Sequence, residues 1–412
     1  MKNFKLRNLK NVLLIGSELG KGGAERSISL LSYYLEKRGY NVILCILSGK
    51  DREQFYDTCE KVIFIDPPES KSYIKKLNGW NYRISKLKQI KKDNKIDVSI
   101  SFLEGPDYAN ILSRSGEKIV LSIRGSKMFD KVISGWMGRF RKKVLIPNLY
   151  KRADEIVCVS NALSGELSTY FNIKEQKLRT IYNFYENERI IEKSMESLSE
   201  EERKIFSQPV IITSGRLHVS KAQDGLVRIM GMIKGKSPAR LMILGDGELK
   251  NHLLELAKEK GLTVCDWSNN PTYTDADIYL MGYQHNAFKF YRHSSLFALS
   301  SSWEGFPNVF AEALICNIPV VSTDCYTGPR EILNIEGLNG KPVETAHRVS
   351  IGSLLPMLDK VDEKRLATWA DEVIYWLKQP KPDTKEFDKL TNRFTLDEML
   401  KKWVAVIENT TA

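Results

Sequence analysis

Short apolar runs alternate along this chain with longer stretches in which apolar residues recur every three or four positions. Residues 12–15 form the first run, and the glycine-rich GSELGKGGAER follows it. Next comes ERSISLLSYYLEKRGY, whose Ile28, Leu31 and Leu35 keep the spacing of an amphipathic helix. Strand-length runs recur at residues 41–47, 61–65, 97–102, 118–123 and 155–159. Strands separated by helical stretches predict parallel sheets with helical crossovers.

The alternation fails after residue 186. ENERIIEKSMESLSEEERKIFSQP is charged throughout and holds no strand-like run, so it predicts an inter-domain linker, helical in part. The pattern then restarts with a strand at 210–214, a helix at 224–233, a strand at 240–244 and a helix at 248–260. Apolar segments at 277–281, 287–292 and 295–299, a helix at 309–316 and a strand at 319–322 complete it. The expected fold is α/β, with two Rossmann-like doubly wound domains. Residues 1–190 would form the first, 191–207 the linker, 208–382 the second, and 383–412 a closing helical segment. In that segment Thr395 stands three residues before Glu398, a capping-box spacing, and Met399, Trp403 and Val406 share a helical face.

A chain of 412 residues, 42% hydrophobic and 27% charged, suits a two-domain globular protein. Its net charge of +11 is unevenly spread. Residues 1–190 carry 35 Lys and Arg against 21 Asp and Glu, a net of +14, and residues 191–412 carry 27 against 30, a net of −3. The first half is therefore expected to meet something anionic. Six scattered cysteines without CxxC or Cys/His ligand spacing predict buried, reduced thiols. The apolar run at 12–15 is much shorter than a signal-peptide core, and no segment approaches the ~20 residues that span a bilayer. The expected location is cytoplasmic, either soluble or, at most, attached peripherally at the inner face of the membrane.

In open α/β sheets, ligands bind beyond the carboxyl ends of the strands, and four loops there stand out. In GSELGKGGAER, Gly20, Gly22 and Gly23 allow close backbone approach, and the following helix N-terminus favours an anion. The order is not GxGxxG, so a dinucleotide site and a plain tight turn weigh alike. SGRLHVSK places Arg216 and Lys221 five apart on a strand-to-helix loop. Two cations there suit a diphosphate, although a pair of solvated surface charges is the plainer reading. LGDGELKNHL, with Gly245, Gly247 and Glu248, reads equally as an ordinary strand–turn–helix and as a nucleotide contact. The most informative stretch is SSSWEGFPNVFAEALICNIPVVSTDCYTGPREIL, where Glu304 and Glu312 stand eight apart around a Gly-Phe-Pro turn and a helix start. Carboxylates accept from paired hydroxyls, and the helix N–H groups from Phe306 to Val309 suit phosphate and sugar oxygens.

On GGAER, SGRL followed by Lys221, ILGDGEL, Gly282-Tyr283 and EGFPNVFAEAL, taken in that order, the chain resembles retaining glycosyltransferase family 4, of GT-B architecture. The resemblance implies two domains facing across a cleft, with a nucleotide-sugar donor held mainly by the second and the last helix crossing back to the first. Arg216 and Lys221 would hold the donor diphosphate, Glu312 the ribose hydroxyls and Glu304 the transferred sugar. Gly282 and Tyr283, with Met281, would lie near the base. The backbone of Phe306, Pro307, Asn308 and Val309 would cap sugar and phosphate, and Gly22 and Gly23 would meet the diphosphate from the first domain. Three features depart from the family pattern. Ala222 stands where glycine usually follows the lysine, Arg124 where a histidine is often found, and residues 262–276 are long, which predicts a surface insertion.

The implied reaction moves a hexose or N-acetylhexosamine, with UDP the commoner base and GDP the alternative, onto a glycan or polyprenyl-diphosphate-linked acceptor in cell-surface polysaccharide synthesis. No cofactor is expected, since the nucleotide sugar is a substrate. Asp275-Ala-Asp277 spells the DxD of metal-dependent transferases but opens an apolar strand, so no metal role is assigned. Residues 75–95 and 135–143 interleave cations with aromatic and aliphatic side chains, which fits either an anionic membrane surface or helices with solvated cationic faces. No nucleic-acid recognition module is present. A nucleotide-sugar 2-epimerase and a non-catalytic nucleotide-sugar binder are the alternatives on the same fold; the first lacks a histidine and carboxylate constellation here.

Overall fold

The computed structural model describes residues 10–49, 53–67, 73–129, 135–338, 341–358 and 362–410. The basic start of the chain and the side chains of Lys75 and Lys76 lie outside this description. The chain divides into two compact units, Met1–Phe184 with Asp397–Ala412, and Tyr185–Leu396.

The first unit is built on β1 (Asn11–Gly16), β2 (Asn41–Ile46), β3 (Val62–Phe64), β4 (Val98–Phe102), β5 (Lys118–Ile123), β6 (Glu155–Cys158) and β7 (Leu178–Thr180). Their order is β3-β2-β1-β4-β5-β6-β7, and every pair is parallel. Val12, Leu13, Leu14 and Ile15 are all fully buried. That explains why the run shows no alternation: helices cover both faces of the sheet. The closing helix, Leu396–Glu408, belongs to this unit from Asp397 onward. Its buried Trp403 stacks on Phe102 with ring centres 6.1 Å apart, and the Lys118 amine donates to the Val406 carbonyl at 2.6 Å.

The second unit carries β8 (Val210–Ser214), β9 (Arg240–Leu244), β10 (Val264–Asp266), β11 (Ile278–Gly282), β12 (Leu296–Leu299), β13 (Val320–Thr323), β14 (His347–Val349) and β15 (Gly352–Leu355). The order is β10-β11-β9-β8-β12-β13-β15-β14, parallel except for the β14–β15 edge pair. Part of the long 262–276 segment is thus the edge strand β10, with Trp267 buried beside it. The charged stretch at 191–207 includes the helix Glu200–Ile205, capped by a Ser199–Glu202 box. It is held to the second unit by Lys289 on Glu202 and by Arg240 donating to the Ile205 carbonyl at 2.7 Å. All six cysteines are buried free thiols. Among the described residues, no helix is long and apolar enough to cross a membrane.

Candidate active site

In the second unit the strand order reverses between β8 and β12, so the loops leaving those two strands part to opposite sides and open a crevice. The β8 loop brings Lys221 there, and the β12 loop brings Glu304. Their side chains meet, with Lys221 Nζ 2.5 Å from Glu304 Oε1. The Ser301 hydroxyl donates to the same oxygen at 2.6 Å. Backbone bonds lock the two loops together, since Ser302 N–H donates to the Ser220 carbonyl at 2.8 Å and the Ser300 hydroxyl to the Lys221 carbonyl at 2.6 Å. Behind them, the Thr327 hydroxyl donates to the Glu304 carbonyl. Burial, with the Glu304 charge adding, pushes the neighbouring Cys325 thiol far up, so it stays protonated.

Two further loops, those after β9 and β11, are stitched to this crevice backbone to backbone. Gly215 N–H donates to the Leu244 carbonyl at 2.9 Å, and Gly245 N–H to the Gly282 carbonyl at 2.8 Å. Gly245 has φ +127°, and a Cβ there would lie 2.1 Å from the Gly215 carbonyl oxygen, so only glycine allows this approach. Gly282 and Tyr283 close β11 at the same edge, where the half-exposed Tyr283 ring meets His285 edge-on at 5.2 Å. Arg216 is not drawn into the Lys221–Glu304 contact. Its exposed guanidinium lies 3.7 Å from Glu248, which also faces His218 at 3.6 Å.

The β12 loop ends in the helix Asn308–Ile315, with Pro307 as its N-cap. The buried Phe306 ring packs edge-on against Phe394 at 5.3 Å, and Tyr185 donates to the Asn308 side chain at 2.8 Å. Both contacts aim the helix start at the crevice edge. Glu312 is buried one turn in, where its charge adds to burial in raising the Tyr291 phenol. Val309, Glu304 and Lys221 therefore share one edge of one sheet, and Glu312 stands behind them in the helix.

Two family models match the chain. "Glycosyltransferase Family 4" covers residues 21–189 and "Glycosyl transferases group 1" covers residues 208–350, together most of its length. The chain belongs to glycosyltransferase family 4. It is 42% identical over 186 residues to an uncharacterized glycosyltransferase of Methanocaldococcus jannaschii, a match spanning 45% of this chain and 43% of that one. With 28% identity over 90% of its length and 94% of the relative's, it is similar to a Campylobacter jejuni enzyme. That enzyme is N-acetylgalactosamine-N,N'-diacetylbacillosaminyl-diphospho-undecaprenol 4-alpha-N-acetylgalactosaminyltransferase. The structure of Anabaena HepE in complex with UDP shares the GT-B fold at TM-score 0.68 and 15% identity, covering 97% of this chain and all of that one.

In the first unit of this transferase, Gly22 and Gly23 sit where β1 passes into the helix Gly23–Lys37, with Gly22 as its N-cap. A Cβ at Gly22 would lie 2.2 Å from Glu25 Oε2, so the glycine makes room for that carboxylate, whose pKa burial raises. Arg124, standing in place of the histidine, reaches the Ser27 hydroxyl at 2.6 Å and the Asn183 side-chain oxygen, and lies over the Phe102 ring. It thereby ties the end of β5 to the first turn of that helix.

The DxD residues of the transferase lie at the amino end of β11, away from the ligand edge. Asp275 is taken by Arg240 at 2.5 Å and Asp277 by Lys234 at 2.9 Å. Sequence reasoning passed over Ser301, Thr327, Tyr185 and Gly328. The GPRE run did carry a signal, because Gly328 has φ +98° and a Cβ there would stand 2.4 Å from Pro307 Cδ. The turn that positions the Asn308 helix rests on that glycine.

Proposed function

We propose that this glycosyltransferase moves a hexose or N-acetylhexosamine from a UDP-sugar, with retention and without a metal, onto a glycan carried by a polyprenyl diphosphate. It would work at the inner face of a membrane. The observation that carries the reading is the Lys221–Glu304 pair at the crevice of the second sheet. Lys221 offers a cation to the leaving diphosphate. Glu304 spends Oε1 on Lys221 and Ser301, and its Oε2 takes no hydrogen bond from the described residues, so it is suited to a sugar hydroxyl. The C1–phosphate bond breaks as the acceptor oxygen bonds C1 on the same face. The acceptor proton passes to the departing diphosphate, whose charge Lys221 offsets together with Arg216 once it swings from Glu248. Glu312 would take the ribose hydroxyls, Gly282 and Tyr283 would flank the base, and the Phe306–Val309 backbone would meet phosphate. The Campylobacter relative's lipid-linked acceptor and the UDP held by the Anabaena protein support these choices.

The test is thermal stabilisation by UDP- and GDP-sugars with and without EDTA, followed by transfer assays. A UDP-sugar is expected to raise the melting temperature equally in both conditions. Lys221→Met is expected to lower kcat by about 10²–10³-fold, the cost of removing one transition-state donor, and to weaken UDP binding far less. Near wild-type turnover in Lys221→Met or Glu304→Gln would sink the assignment.

A further inference from the structure

We propose that the exposed apolar face of Met128, Phe129, Trp136, Met137, Phe140 and Val144 docks this transferase onto the surface of an anionic lipid bilayer. The proposal takes its purpose from the lipid-linked acceptor proposed above, while its test stands apart from that reading.

Six of the thirteen large hydrophobic side chains that stand exposed among the described residues fall between Met128 and Val144. Trp136 is 72% exposed, the highest value in that set. Trp136, Phe140 and Val144 recur every four residues along the helical run made by Gly135–Phe140 and the wide turn Arg141–Leu145, so they line one face. On the opposite side, Gly138, Ile146 and Tyr150 are buried and seat the run on the unit. The platform is fastened in two places. Arg141 forks onto Glu104, with Nε 2.8 Å and Nη2 2.7 Å from its two oxygens. Lys142 donates to the Met128 carbonyl at 2.8 Å, which joins the loop bearing Met128 and Phe129 to the helical run. Phe129 in turn meets the exposed Tyr170 ring edge-on at 6.1 Å.

Exposed apolar side chains alone would suit a protein partner as well as a membrane. Charge decides between them. Between Gly135 and Ala153 the chain has six cations and no acidic residue. Arg139 and Lys143 are exposed beside Phe140 and Val144. Aromatic and aliphatic groups bordered by cations fit a bilayer interface, where rings enter the headgroup region and ammonium groups meet lipid phosphate. The other basic stretch of the same unit shows the contrast. In the helix Tyr73–Asp93, Trp80, Tyr82 and Ile90 pack against the core beside Leu13, Ile43 and the fully buried Leu87. Those apolar residues are spent inward, while Lys86, Lys88 and Lys92 stand exposed.

The experiment is co-sedimentation of the whole protein with vesicles of phosphatidylcholine alone, or with about one third phosphatidylglycerol, free of any glycan. Wild type is expected to bind the anionic vesicles and to release them as salt rises. Trp136→Ser with Phe140→Ser is expected to weaken binding by at least about tenfold while keeping the melting temperature and its shift with UDP. Arg139→Glu with Lys143→Glu should abolish the preference for anionic over neutral vesicles. Met195→Ser, an exposed apolar position of the second unit, should bind as wild type does. Three results would overturn the proposal. They are wild type that ignores anionic vesicles, a serine pair that binds them unchanged, and light scattering in which the serine pair instead dissolves a wild-type dimer. Vesicle binding without any donor-induced shift would keep this proposal and count against the donor reading alone.

Discussion

At the scale of single residues, Asp107 carries the clearest titration. Its carboxyl is fully buried, and that burial pushes its pKa up from 3.8 to about 7 against the opposing Lys127 charge and the Ser101 and Tyr150 hydroxyls. The folded chain therefore holds a proton that the unfolded chain has released between about pH 4 and 7. The stability this lends is complete below the unfolded value and is lost as pH rises through the folded one. Melting temperature measured from about pH 5 to 7.5 should fall, and Asp107→Asn, which cannot ionise, should flatten the fall. Ala222 makes a second case. It has φ +46°, a conformation that costs a non-glycine residue roughly 1–2 kcal/mol, against roughly 0.5–1 kcal/mol for the extra freedom of an unfolded glycine. Ala222→Gly should therefore raise stability by about 0.5 kcal/mol, read from denaturant melts. Sequence alone could name Ala222 as a departure from the family pattern. The φ angle supplies the reason glycine is preferred after this lysine.

At the scale of elements, the strands that were legible are those buried on both faces. β1, β2, β8 and β9 are continuous apolar runs because helices cover the sheet above and below. The short edge strands β7, β10 and β14 have three residues each, too few to show a period, and they pair only because a neighbour is already in place. The site divides in the same way. Lys221 and Glu304 lie 83 residues apart, and the motifs named both. Their contact follows from the strand order, which places β8 beside β12. Arg216 shows the opposite limit. Spacing along the loop set Arg216 beside Lys221 as a second cation for a diphosphate, but it could not show that the β9 loop brings Glu248 to 3.7 Å from Arg216. The two basic stretches of the first half looked alike as strings of cations and rings. Burial separates them, since the core claims the rings of one and leaves those of the other outside.

At the scale of the whole chain, the two units differ in how they are closed. The second is continuous in sequence, and its ends are stitched together. Tyr185 N–H donates to the Phe394 carbonyl and Leu396 N–H to the Tyr185 carbonyl, each at 3.0 Å. A fragment of residues 185–396 therefore keeps its own boundary bonds and its Lys221–Glu304 pair, and is expected to melt cooperatively and to be stabilised by UDP. The first unit is discontinuous and borrows its last helix. Met399, Leu400, Trp403, Val406 and Ile407 are all buried there. At roughly 1.5–3 kcal/mol for each such side chain, they contribute on the order of 10 kcal/mol as an upper estimate, which rivals the whole stability of a typical domain. A chain ending at residue 396 should accordingly lose the first unit's cooperative transition and become open to protease there. The UDP-stabilised transition of the second unit should persist. Calorimetry on the truncated chain separates the two outcomes, because loss of both transitions together would mean that the closing helix supports the molecule as a single cooperative body.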